Sequence, residues 1–168
     1  MKVIHLISGG DTGGAKTHVH SLLANLSATL EITMVCFTSG PFVEEARALG
    51  IRTEVIPGKN LFRTLRRLEE MIRSENFSII HSHGARGNMI AAMLSHRTGL
   101  PTVSTVHSDY RLDYLGRPFS RITYGAINTI ALRLMDYRIG VSDAMVDLLI
   151  TRGFRPDRLF AIYNGLDF

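Results

Sequence analysis

The sequence predicts an α/β fold in which about seven mostly parallel strands are covered by helices on both faces. Three observations predict it. Short apolar runs alternate with stretches of helical period along the chain, the pattern of repeated strand–helix–strand units. The first unit joins strand to helix through a glycine-rich turn, Ser8-Gly9-Gly10-Asp11-Thr12-Gly13-Gly14. The chain has 168 residues, 45% hydrophobic and 20% charged, enough for one domain with a full core and ordinary for a soluble globular protein.

The first strand is Lys2 to Ile7, a nearly continuous apolar run as expected of a buried parallel strand. From Val19 to Leu26 apolar residues fall at helical spacing. A second strand reads Glu31 to Thr38 and is followed by a short helix, Phe42 to Leu49, stopped by Gly50. The third strand is Ile51 to Ile56. Next comes an amphipathic helix from about Asn60 to Ser74, with Leu61, Leu65, Leu68 and Ile72 on one face. Strand four is Ser78 to Ser82, and the helix behind it runs from about Ala85 to Arg97 before Gly99-Leu100-Pro101. Strand five is Thr102 to His107. A polar loop, Ser108 to Arg117, leads to Pro118 in the first turn of a long helix reaching about Met135. Strand six is Tyr137 to Val141, Ser142 caps a helix through Arg152, and the last strand is Arg158 to Tyr163. The result is a Rossmann-like three-layer α/β/α sandwich. Its ligands are expected beyond the carboxyl ends of the strands, near the switch point of the sheet.

Four glycines at 9, 10, 13 and 14 allow positive φ and close approach of a ligand to the backbone. The helix behind them offers free N–H groups and the positive end of its dipole, a combination that binds phosphate. A tight strand-to-helix connection without a ligand is the alternative. Spacing excludes the dinucleotide fingerprint, because Asp11 or Thr12 falls where its second glycine belongs. A P-loop needs lysine directly after Gly14, where Ala15 stands, with Lys16-Thr17 one place late. That near miss keeps a P-loop-like ATPase open as a minor reading.

Polar residues collect at the other strand ends: His81, Ser82, His83 and Gly84 after strand four, His107, Ser108 and Asp109 after strand five, Ser142 and Asp143 after strand six. All are expected on one rim. His107 reads as a hydrogen-bond donor or a general base. His81 and His83 share a strand face, but zinc needs a third ligand that the spacing does not supply, so no metal is expected. No Asp-x-Asp pair offers a carboxylate-held Mg²⁺ or Mn²⁺. Arg63, Arg66, Arg67 and Arg73 belong to the amphipathic helix and read either as a solvated face or as a peripheral contact with anionic lipid. Tyr110, Arg111, Tyr114 and Arg117 could cover a substrate or be ordinary loop residues.

The net charge of +4 suits a phosphorylated ligand or an anionic surface, and no basic tail points to nucleic acid. The single cysteine, Cys36, sits in an apolar run and reads as core. It excludes an intrachain disulfide, and the N-terminus lacks the order of a signal peptide, so a cytoplasmic protein is expected, peripheral on the inner membrane face where it meets lipid.

Several motifs in sequence order now carry a resemblance: Gly13-Gly14-Ala15-Lys16-Thr17-His18-Val19, Ile79-Ile80-His81-Ser82-His83-Gly84, Thr105-Val106-His107-Ser108-Asp109, Gly140-Val141-Ser142 and Ile162-Tyr163-Asn164-Gly165-Leu166-Asp167. The chain resembles the N-terminal, acceptor-side domain of the family 4 type of retaining glycosyltransferases, which have the two-domain GT-B fold. The resemblance implies a hexosyltransferase acting with a UDP- or GDP-linked sugar, without metal or cofactor, in cell-envelope or other glycan biosynthesis. It implies that Gly13 and Gly14 approach the donor diphosphate through backbone N–H groups and that His107 lies near the transferred sugar, assisting binding or catalysis. Lys16, His18, His83, Asp109 and Ser142 are expected on the acceptor or cleft rim. The family's second domain, which holds most of the nucleotide, is not within residues 1–168, so these residues alone are expected to have little activity. Departures are Lys16, near which the family often has glutamate, and Tyr163, where proline is common. A non-catalytic nucleotide- or phosphosugar-binding module that works with a partner chain stays open beside the transferase.

Overall fold

The computed structural model describes residues 1–10, 14–109 and 118–163. Seven strands form one sheet: β1 (Lys2–Ile7), β2 (Glu31–Cys36), β3 (Thr53–Val55), β4 (Ile79–His83), β5 (Thr102–Val106), β6 (Tyr137–Gly140) and β7 (Leu159–Ala161). Their order is β3-β2-β1-β4-β5-β6-β7, and every neighbouring pair is parallel. The order reverses between β1 and β4, which puts the switch point at the centre of the sheet. The predicted three-layer sandwich is therefore present.

The helices are α1 (Gly14–Leu26), α2 (Pro41–Ala48), α3 (Leu61–Glu75), α4 (Gly84–Thr98), α5 (Pro118–Leu134) and α6 (Asp143–Thr151), with a 3₁₀ turn at Pro156–Arg158. α1 starts five residues before the predicted apolar stripe, so the glycine loop leads into the helix at Gly14 itself. On one face of the sheet Val19 and Leu23 of α1 and Phe42, Val43 and Ala46 of α2 pack against Ile7, Ile32, Met34 and Cys36. On the other, Leu65, Leu68 and Ile72 of α3 and Ile90, Ala91 and Leu94 of α4 pack against Ile4, Leu6, Val35 and Ile80. Leu132 of α5 and Leu149 of α6 close that side over Val106 and Leu159.

Two details depart from the sequence reading. Leu61 is exposed, and the buried position on the first turn of α3 belongs to Thr64. The Thr64 hydroxyl donates to the carbonyls of Pro57 and Asn60, both at 2.9 Å, so a polar residue is buried with its hydrogen bonds made. Ser82 is not on the rim either. Its hydroxyl donates to Asn88 Oδ1 at 2.7 Å, as does that of Ser104, and Asn88 Nδ2 donates to Asn128 Oδ1 at 2.9 Å. These four residues form a buried polar cluster joining β4, β5, α4 and α5. Cys36 is fully buried, as expected.

Two of the four arginines of α3 are paired with acidic residues: Arg66 with Glu70 at 2.9 Å and Arg73 with Glu69 at 3.1 Å. At the far end of the helix Glu75 takes both arms of the Arg52 guanidinium, at 2.6 and 2.8 Å, and the Lys2 ammonium at 3.0 Å. The Arg52 hydrogen bonds, with Lys2 adding to them, hold the Glu75 carboxyl down to about 2. A carboxylate with a depressed folded-state pKa stabilises above its unfolded pKa and loses that contribution as the pH falls through the folded value. Melting temperature should therefore decline between about pH 5 and pH 2. Glu75→Gln should flatten part of that decline, and identical pH profiles for the two proteins would refute it.

Candidate functional site

The carboxyl ends of β1 and β4 flank the switch point, and a column of histidines lines it. In parallel register His5 of β1 stands beside His81 of β4, and His83 stands beside Thr105 of β5. Alternation puts His81 and His83 on one sheet face. His107 follows directly after β5, and His18 lies in the second turn of α1. The sheet and α1 thus bring five imidazoles together from four points in the chain.

The contacts are specific. His5 Nδ1 lies 3.3 Å from His83 Nε2, and His83 Nδ1 lies 3.2 Å from His107 Nε2. His81 Nε2 is 2.8 Å from Thr105 Oγ1. The His18 ring meets the His107 ring edge-on, 5.1 Å between centroids. Loss of hydration drives all five toward the neutral form. Burial, reinforced by the neighbouring histidines, puts His5 and His83 well below the ordinary imidazole range, His81 down to about 3 and His107 down to about 4. Burial alone lowers His18. His107 is half-buried while His5, His81 and His83 are buried, so the column runs from the cleft into the interior.

The third histidine missing from the sequence reading of a metal site is His5. Its ligand atom and those of His81 and His83 lie within 4.8 Å of one another. That spread exceeds the ~3.4 Å that separates two nitrogens on one tetrahedral zinc. His5 and His83 are also hydrogen-bonded to each other. The arrangement fits a hydrogen-bonded chain better than a metal centre.

Of the predicted site residues, the structure brings His18, His83 and His107 together. Gly14 is the first residue of α1, and Gly13 lies outside the described residues. Three others meet partners within the protein. Lys16 donates to both oxygens of Glu45 in α2, at 2.8 and 3.0 Å. Both oxygens of Asp109 are held by the Arg152 guanidinium at the end of α6. Ser142 caps α6 by accepting the Met145 N–H at 3.2 Å. Residues 110–117, including the predicted cover residues Tyr110, Arg111, Tyr114 and Arg117, lie outside the described residues, as does 164–168.

The glycine loop divides into separate roles. Gly9 has φ +86°, and a Cβ there would stand 2.6 Å from the Thr38 carbonyl oxygen and 2.9 Å from Cys36 Cβ. Gly9 is thus required by packing against the end of β2, not by a ligand. At Gly10 the nearest atom to a Cβ among the described residues would be Thr38 Oγ1 at 4.0 Å. Packing therefore accounts for Gly9 alone.

A family model for Glycosyltransferase Family 4 matches residues 12–168. No curated protein matches the sequence. Among solved structures, Anabaena Alr3699/HepE in complex with UDP superposes with a TM-score of 0.80 at 19% identity, covering 99% of this chain and 45% of that one. A glycosyltransferase from Rickettsia africae gives 0.75 at 17%, covering 99% and 43%. UDP-GlcNAc 2-epimerase from Neisseria meningitidis bound to UDP-GlcNAc gives 0.71 at 11%, covering 98% and 47%. The chain spans less than half the length of these proteins, and at such identities the likeness establishes a shared fold. Taken with the family match over nearly the whole sequence, it establishes that the chain belongs to Glycosyltransferase Family 4 and has the N-terminal fold of the GT-B glycosyltransferases.

Proposed function

We propose that residues 1–168 form the acceptor-side domain of a retaining, metal-independent hexosyltransferase that moves a sugar from a UDP- or GDP-linked donor to a glycan, lipid or small-molecule acceptor. The observation that carries this reading is the family match over residues 12–168. The clustering of His18, His83 and His107 at the switch point supports it, because open α/β sheets bind ligands there. Similar structures hold UDP and UDP-glucose, which favours a uridine nucleotide. In this reading Gly13 and Gly14 present backbone N–H groups to the diphosphate, and His107 stands next to the transferred sugar. A second domain supplies the remaining nucleotide contacts.

The test is an initial-rate assay of nucleoside diphosphate release from a panel of UDP- and GDP-sugars with acceptors. It is run on residues 1–168 and on the same residues joined to a family second domain. Transfer is expected from the joined protein, with little or none from residues 1–168. Full turnover by residues 1–168 alone would refute the two-domain assignment. Epimerisation of UDP-GlcNAc without transfer would replace the transferase with an epimerase, a fold relative already seen.

A further inference from the structure

Three imidazoles form an unbranched chain: His5, His83, His107. Each of its two gaps, at 3.3 and 3.2 Å, has the separation of a hydrogen bond between ring nitrogens, and each such bond holds one proton. Both nitrogens of His83 are used, so one must donate and the other accept. Three neutral rings carry three protons. Two occupy the gaps, and the third has only two places to go: His5 Nε2 at the buried end or His107 Nδ1 at the cleft end.

The two ends are not equivalent. His5 is 1% exposed, and no described residue accepts a hydrogen bond from its Nε2. At that exposure an N–H on Nε2 would have little water to donate to, which costs more than leaving the same nitrogen as a bare acceptor. His107 is half-buried, and its Nδ1 has no partner among the described residues. A proton placed there remains open to water or a ligand.

We infer that His83, with His5 donating to it, fixes the proton of His107 on Nδ1, so that His107 meets the cleft as a neutral hydrogen-bond donor rather than as a base. His83 is then a positioning residue, acting through His107 on an oxygen of the ligand, a sugar hydroxyl or a phosphate oxygen. Naming that ligand rests on the transferase reading. The tautomer does not. A protonated Nδ1 also decides between the two roles open for His107, since a general base would need that nitrogen bare.

Two measurements separate the inference from that reading. The first is long-range ¹H–¹⁵N NMR of residues 1–168 labelled at histidine, with His107 assigned by its loss in His107→Gln. At pH 7 the expected signal is a protonated Nδ1 and a bare Nε2 on His107, and in His83→Phe the protonated nitrogen should become predominantly Nε2. A wild-type His107 protonated on Nε2 would overturn the inference even if His83→Phe did not fold. So would an unchanged tautomer in a folded His83→Phe. No substrate is involved, so failure of the transferase reading leaves this result intact. The second is a kinetic cycle in the joined protein. His83→Phe should lower kcat/KM about tenfold alone and add little to His107→Gln, because residues acting as one unit are not additive. Fully additive losses would overturn the positioning role.

Discussion

Gly9→Ala should melt roughly 5–15 °C below the wild type, a loss of about 2–5 kcal/mol. Two penalties combine. A residue with a Cβ held at φ +86° enters the left-handed region at a cost of about 1–2 kcal/mol. The same Cβ would sit 2.6 Å from the Thr38 carbonyl oxygen, a backbone atom that cannot swing aside, and overpacking of this kind costs about 1–3 kcal/mol. Thr38 is further tied to this turn, its hydroxyl and its N–H both donating to the Ser8 carbonyl, at 2.9 and 3.1 Å. Gly10→Ala is the control, because among the described residues its Cβ would meet nothing closer than 4.0 Å. Thermal melts followed by circular dichroism decide the matter. Equal melting temperatures for the two variants would show that the turn yields more easily than its contacts indicate.

His107→Ala in the joined protein should lower kcat/KM by about 10²–10³, the usual consequence of removing one preorganised donor from a site. The ring is preorganised on both sides: His83 Nδ1 lies 3.2 Å from its Nε2, and the His18 ring abuts it at 5.1 Å. It does not titrate near neutral pH, since burial puts it down to about 4. The rate should therefore carry no inflection from this residue between about pH 6 and 8. Rates of donor turnover across that range test both statements. A fall of less than tenfold in kcat/KM would remove His107 from the reaction. Folding should be far less affected than by Gly9→Ala, because the ring is only half-buried at the end of a strand.

The two expected effects rest on features of unequal visibility in the sequence. The strand and helix order was legible because each element carries its own period, and Ser142 before α6 marks a cap that the structure confirms, while the cap at Asn60 before α3 emerges from the structure. His107, His83 and His18 could be picked out as polar residues at predicted element ends. His5 could not, because its importance depends on the register of β1 against β4, and register is a property of two distant segments. The visible signal was a histidine inside an apolar strand, with Val3 and Ile7 on the same face. The burial of Ser82 and the partner of Asp109 were hidden for a related reason. Ser82 sits on the opposite sheet face from His81 and His83, where Asn88 binds it, and Asp109 meets Arg152 from α6. Neither contact is implied by spacing along the chain. The loop glycines looked alike as letters and differ only in what surrounds them.

The position of β1 at the centre of the sheet has a consequence for how the protein is made. β1 is synthesised before both of its neighbours: it can pair with β2 early, but its other edge stays open until β4 follows. Ile4 pairs with Ile80, Val3 with Ile79 and His5 with His81. At ~5–20 residues per second, closing that edge takes roughly 4–15 s of synthesis. Throughout that interval a continuous apolar strand exposes unpaired backbone groups, the condition that invites association between chains. The nascent protein is thus most vulnerable to aggregation before β4 is complete, and a pause in translation upstream of Ile79 would lengthen the exposure.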